Sequence, residues 1–198
     1  MIPVALQPEP ENFDRDVRQR GSAWLAEHDI DPEAPPPKAS KLPAYWQATN
    51  RQLWEAYEGV CAYLAIYFEW ATGASSTDHF VAKSRHAGGA YEWSNYRLSC
   101  LGANRSKHAY DDVLDPIGLP ENTFHLNLAS GRIYPAPHLP DDLKHQATAT
   151  IERLELDSPD LNTMRARHFA RYLRGKDVDT LRELSPFVWH EARRQNLL

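Results

Sequence analysis

Residues 77–108 read TDHFVAKSRHAGGAYEWSNYRLSCLGANRSKH, and the organisation of the chain follows from this stretch. It opens on Asp78-His79, with Asn95 16 residues after the histidine, Asn104 nine residues later and His108 four beyond that. An Asp-His pair alone carries little information. An Asp-His pair, a loop holding Gly88-Gly89, an Asn before the apolar segment 96–99, and then Asn and His at helical spacing together point to a composite site. Phosphodiester hydrolysis needs a nucleophilic water, charge stabilisation at the phosphate and help for the leaving oxygen. A hard divalent cation takes oxygen ligands, which a carboxylate and an amide supply. A base that titrates near neutrality favours imidazole. Adjacent strand residues point to opposite faces, so Asp78 and His79 need a twist at the strand end to serve one site. Asn104 and His108 at i and i+4 would share a helix face.

The pattern resembles the HNH endonucleases, and within them the branch with a DHF-x-x-K-S segment, a Tyr-x-Trp-x-N loop end and an L-x-C-x-x-x-N strand-to-helix turn. Here these read Asp78-His79-Phe80 with Lys83-Ser84, Tyr91-Glu92-Trp93-Ser94-Asn95, and Leu98-Ser99-Cys100 with Asn104. Asp115-Pro116 and the segment 150–154 extend the likeness. The resemblance implies an α+β fold with a ββα-metal (HNH, His-Me finger) core. It implies a metal-dependent endonuclease acting on DNA with one Mg²⁺ or Mn²⁺; the residues do not choose between DNA and RNA. It gives His79 the role of general base, Asn95 that of a scaffold for the loop behind it, and Asp78 and Asn104 that of metal ligands. His108 stands as a third ligand candidate, although the branch usually has none there. Some members of the branch serve in bacterial anti-phage defence beside an ATPase, so a cytoplasmic location and an ATPase partner are the matching expectations. The rival reading is a non-catalytic HNH-fold module that binds nucleic acid or a partner protein.

Many relatives brace this core with a zinc held by two Cys-x-x-Cys pairs. Here the pairs read Cys61-Ala62-Tyr63-Leu64 and Cys100-Leu101-Gly102-Ala103, with one cysteine surviving in each. A closed structural zinc needs four ligands, so no zinc is expected, and Leu64 and Ala103 read as an apolar plug.

Outward from this stretch the chain divides into a Pro-rich helical extension over residues 1–58, the HNH core over 59–115, and a hairpin plus helical region over 116–198. Eight of the 15 prolines fall in the first 43 residues, which predicts extended chain between short helices, one over 22–28 and one starting at Thr49. Phe124, Leu126 and Leu128 alternate with polar residues before Ser130-Gly131, a small hairpin. Leu143, Ala147, Ile151 and Leu154 predict one helix, and Ser158-Pro159 and Ser185-Pro186 predict two more starts.

The chain has 198 residues, of which 42% are hydrophobic and 11% aromatic, enough for a sizeable core. Its longest apolar run, 60–68, is too short to span a membrane, and residues 1–13 have no secretory pattern. The net charge of −5 argues against a general polyanion binder. The distribution is uneven, however: residues 79–108 hold five bases (Lys83, Arg85, Arg97, Arg105, Lys107) against Glu92 alone. Those five are the candidate nucleic-acid contacts. A second basic run over 161–176 is a candidate for duplex DNA or a protein partner. His86, His125 and His138 read as ordinary.

Overall fold

The computed structural model describes residues 1–110 and 112–198. Its fold is α+β. At its centre β1 (Ser75–His79) pairs antiparallel with β2 (Tyr96–Cys100), with Ser75 opposite Cys100 and His79 opposite Tyr96. β2 runs directly into α3 (Leu101–Lys107), which packs back on both strands. Strand alternation divides the hairpin. Thr77, His79, Tyr96 and Leu98 share one face, and Ser76, Asp78, Arg97 and Ser99 share the other. α3 covers the second face, since Asn104 reaches Ser76 and Lys107 reaches Asp78.

The first face is covered by the N-terminal extension. A π-helical turn (Asp14–Arg18) runs into α1 (Gln19–Glu27), so this helix begins well before the expected start at Ser22. Phe13, Val17 and Leu25 join Trp46, Leu53 and Tyr57 in a cluster with Tyr91, Trp93, Tyr96 and Leu98. Leu53 comes from α2 (Asn50–Ala56). The prolines between these elements hold the chain extended and let it wrap the hairpin. α1 lies so close to the loop between β1 and β2 that a Cβ at Gly21 would overlap the Tyr91 ring.

A second cluster joins residues 61–65 to the C-terminal region. Val60 bridges Tyr67, and inside that bridge the Cys61 N–H donates to the Ile66 carbonyl, which makes a tight turn. The Ala62 N–H donates to the Leu98 carbonyl and fastens the turn to β2. The expected hairpin is present as β3 (Phe124–Leu126) and β4 (Ile133–Pro135). Four helices follow: α4 (Asp141–Arg153), α5 (Pro159–Gly175), α6 (Val178–Leu184) and α7 (Pro186–Arg194). Pro159 and Pro186 open α5 and α7 as expected. α6 has no proline start; the Asp177 side chain caps it by accepting from the Thr180 N–H. Among the described residues no helix is long and apolar enough to cross a membrane.

Two buried charged residues tie this region together. Arg165 donates to the carbonyls of Gly131 and Leu156, so it is a structural strut rather than part of a basic grip. Glu191 accepts from the Leu126 N–H and from the Arg194 guanidinium. Gly131 has φ 73°, a left-handed conformation, and a Cβ there would overlap the Asn162 carbonyl. Gly131→Ala should therefore cost more than about 2 kcal/mol, because strain and overlap add. Urea melts of wild type and variant measure this cost, and matching midpoints would contradict it.

Candidate functional site

The loop between β1 and β2 is held from its far end. The Asn95 side-chain oxygen accepts from the Val81 N–H at 2.8 Å, and its amide nitrogen donates to the carbonyls of Val81 at 3.0 Å and Gly89 at 2.8 Å. The Asn95 carbonyl also accepts from the Phe80 N–H. One asparagine thus gathers the two ends and the middle of the loop, the scaffold geometry the resemblance implies. His86, read as ordinary, is a loop brace: its Nδ1 accepts from the Gly89 N–H and its Nε2 meets Glu33 at 3.0 Å. Tyr91 and Trp93 anchor the same loop on the N-terminal segment, through the Pro43 and Gln7 carbonyls.

His79 ends β1 on the face covered by the N-terminal extension. It is buried, edge-on to Trp46 and to Tyr96. Its Nε2–H donates to the Ala90 carbonyl at 3.1 Å, so Nδ1 is the nitrogen left to accept a proton. Burial, reinforced by the positive charge of Lys83, lowers its pKa to about 3; the ring is neutral at neutral pH, but it titrates well below the near-neutral range expected of a general base.

Asp78 points the other way, under α3, and is also buried. Its Oδ2 accepts from the Tyr63 hydroxyl at 2.5 Å and lies 3.7 Å from the Lys107 ammonium. Burial pushes the Asp78 carboxyl above the usual carboxylate value, against the opposing pull of Lys107 and Tyr63. Asn104, on α3, donates its amide nitrogen to the Ser76 hydroxyl at 2.5 Å, which leaves its oxygen, the atom a hard cation takes. Asp78 and Asn104 thus approach the same face of β1, one from the strand and one from the helix. A Mg²⁺-type ion needs only one or two protein carboxylates beside phosphate and water. Both side chains offer oxygen donors of the kind such an ion takes, with the Lys107 ammonium 3.7 Å from the Asp78 carboxylate.

Three expectations need correction. His108 does not continue the helix: α3 ends at Lys107, and His108 has φ 46° and ψ −125°. It lines an open groove of about 620 Å³ with Arg105, Tyr110 and Arg153 instead of sharing a helix face with Asn104. Arg97 is buried and pairs bidentately with Asp115 at 2.7 and 2.5 Å, so it does not meet solvent phosphate. Lys107 is fully buried, and its ammonium donates to the carbonyls of His79 at 3.1 Å and Phe80 at 2.7 Å. Of the five basic candidates, Arg85 and Arg105 are exposed, while Lys83 is half-buried with its ammonium over the Trp46 ring.

Two members of the site were not singled out as such from the sequence. Lys107 stands among the candidate nucleic-acid contacts, and Tyr63 enters the sequence reading only as a position between Cys61 and Leu64. The signal for Tyr63 is only general, in that a buried tyrosine hydroxyl needs a partner. The signal for Lys107 is its position three residues after Asn104, on the same side of α3.

Cys61, Leu64 and Ala103 sit in one apolar cluster with Cys100 packed against it, so all four positions of the two Cys-x-x-Cys pairs converge. The Cys61 sulfur meets the Ser99 hydroxyl at 4.0 Å; the neighbouring Cys61 holds the Cys100 thiol below its ordinary value, while burial pushes Cys61 up. Among the described residues no group of three or more His, Cys, Asp or Glu side chains is arranged to hold a metal. The chain should purify without stoichiometric zinc, and EDTA should leave its melting temperature unchanged, because packing of Leu64 and Ala103 stabilises this corner. One equivalent of zinc with a large drop on chelation would overturn that reading.

No family model matches this chain, and a search of curated proteins finds no relative.

Proposed function

We propose that the protein is a metal-dependent endonuclease of the HNH type, with a ββα-metal core formed by β1, β2 and α3, and that DNA is its substrate. The observation that carries this reading is that Asp78 stands on the face of β1 that α3 covers, where Asn104 reaches Ser76, while Asn95 pins the loop behind His79. Asp78 and Asn104 would hold the divalent ion, Mg²⁺ or Mn²⁺. When bound, it supplies charge neutralisation at the scissile phosphate and the leaving oxygen.

The chain's own residues do the rest. Asp78 and His79 leave β1 on opposite faces, so His79 would act on a phosphate at the Asp78 side only across the strand end; the Ala90 carbonyl fixes its tautomer with Nδ1 as the proton acceptor. Asn95 holds the loop that carries that carbonyl, through its bond to Gly89 next to it. Tyr63 and Lys107 hold Asp78 in place before a cation arrives. The exposed Arg85 and Arg105 are the remaining candidates for phosphate contacts.

Asp78→Ala should abolish stoichiometric Mn²⁺ binding, followed by calorimetry or by Mn²⁺ paramagnetic broadening under conditions where a urea melt shows the variant folded, because it also strips the buried Lys107 of its counter-charge. Saturable Mn²⁺ binding retained in that variant would refute the ligand assignment. The wider setting of phage defence in the cytoplasm, beside an ATPase, rests on the resemblance alone.

One observation favours the second reading, a non-catalytic module binding nucleic acid or a partner protein. The Lys107 ammonium already stands against Asp78, and a cation there could replace a metal ion permanently. Cleavage of supercoiled plasmid with added Mg²⁺ or Mn²⁺ separates the two readings, because a module of the second kind leaves the plasmid intact.

A further inference from the structure

Away from the hairpin, α5 and α6, with Ser185 just before α7, line a cavity of about 350 Å³, within the size range of small-molecule sites. Its walls include the apolar side chains of Tyr172, Leu181 and Leu184, and its polar lining includes His168, Arg171 and Ser185. Two buried polar atoms of this lining lack a hydrogen-bond partner, Ser185 Oγ and His168 Nδ1. Ser185 is completely buried. It stands at the N-cap position of α7, where a serine ordinarily accepts from the first turn, yet its side chain makes no cap bond. Pro186 has no N–H, and the N–H groups of Phe187 and Val188 find no acceptor among the described residues. The first turn of a nine-residue helix therefore keeps its positive end unsatisfied beside an unpaired hydroxyl. Arg171 is exposed and brings a full positive charge to the same cavity. The acid in the lining, Asp177, has both oxygens engaged by Thr180.

A buried unpaired hydroxyl is costly. Leaving it beside a helix N-terminus and an arginine fits a site completed from outside by an acceptor group. We propose that this cavity binds a small organic anion, a phosphate or carboxylate head on an apolar body. The head would meet Ser185 and Arg171, and the body would lie against Tyr172, Leu181 and Leu184. This site is separate from the hairpin and does not depend on the endonuclease reading.

The test uses the full chain with phenyl phosphate as probe and phenol as its neutral counterpart. Binding is followed by calorimetry and by amide chemical shifts. Saturable binding of phenyl phosphate at one site is expected, with shifts at Ser185, Phe187, Val188 and His168 and none on α3. Phenol should bind at least about tenfold more weakly, since it lacks the charge-assisted hydrogen bonds. Arg171→Gln, a change at an exposed side chain, should weaken phenyl phosphate by a similar factor. Failure to saturate, equal binding of phenol, unchanged affinity in Arg171→Gln, or shifts confined to the hairpin and α3 would each overturn the proposal.

Discussion

Replacing His79 by alanine should slow metal-dependent plasmid cleavage by ~10²–10⁴-fold, the usual contribution of a general base. The expectation follows from the state of the ring. Burial keeps it neutral, Ala90 holds Nε2–H, and Nδ1 remains to take a proton from the attacking water. Alanine also leaves a gap between Trp46 and Tyr96, which flank the imidazole edge-on. His79→Gln is the companion variant, since its amide can still donate to the Ala90 carbonyl yet provides no base. Both variants should bind DNA as the wild type does, measured by gel shift without metal. A loss under about threefold in both would remove His79 from the role, given the factor a general base contributes.

The second large effect is on stability. Lys107→Ala should destabilise the fold by about 3–5 kcal/mol, because it strips a buried carboxylate of its buried counter-charge. For a chain of this size that corresponds to a fall in melting temperature of roughly 6–20 °C. The ammonium also serves the His79 and Phe80 carbonyls, which the variant leaves unpaired. The deficit should depend on pH with a definite sign. The Asp78 carboxyl already titrates above the usual carboxylate value because burial disfavours its charge, and removing Lys107 raises it further. A raised carboxyl means that the folded state holds its proton more tightly than the unfolded state does. The variant is therefore least stable relative to wild type above the folded pKa, and part of the deficit is recovered as pH falls through it. Lys107→Met, which keeps the volume, should show the same sign with a smaller loss at acid pH. Urea melts at neutral and mildly acid pH decide the matter. A variant as stable as wild type at neutral pH would mean that Lys107 does not balance Asp78.

Both predictions rest on residues that were legible in the sequence to different degrees. His79, Asp78, Asn95 and Asn104 could be picked out because their spacing carries a motif, and the hairpin places Asn95 as a loop clamp as that motif implies. The strand-to-helix order around Cys100 was readable only through the L-x-C-x-x-x-N likeness, because the polar stretch begins at Asn104 whereas α3 begins at Leu101. The end of α3 was not. His108 is compatible with a helix by composition, and only the backbone turn at positive φ takes it away from Asn104. Propensity at a single terminal residue is too weak to decide such a boundary.

Charge was the least readable feature. The five bases between His79 and His108 form one run in the sequence. In the fold, Arg97 sits beneath the hairpin against Asp115, Lys107 lies under α3 against Asp78, and Arg85 and Arg105 face solvent. A basic residue is read from sequence as exposed unless a partner is known. Here one partner lies 18 residues ahead of its arginine and the other 29 residues behind its lysine.

By itself, the sequence determined the local pieces: an Asp-His pair, an apolar segment after Asn95, prolines that begin α5 and α7, and one cysteine in each of two Cys-x-x-x positions. These depend on periodicity, φ restriction and residue chemistry, which act over a few residues. The tertiary structure alone decided which faces those pieces present. It set Asp78 and His79 on opposite sides of β1, laid the N-terminal extension over His79, and brought Tyr63 and Lys107 to Asp78. It also left Ser185 unpaired in a cavity between helices. The reason is that burial and pairing of polar groups depend on segments far apart in the chain, and the cost of an unpaired charge is set only once those segments have met.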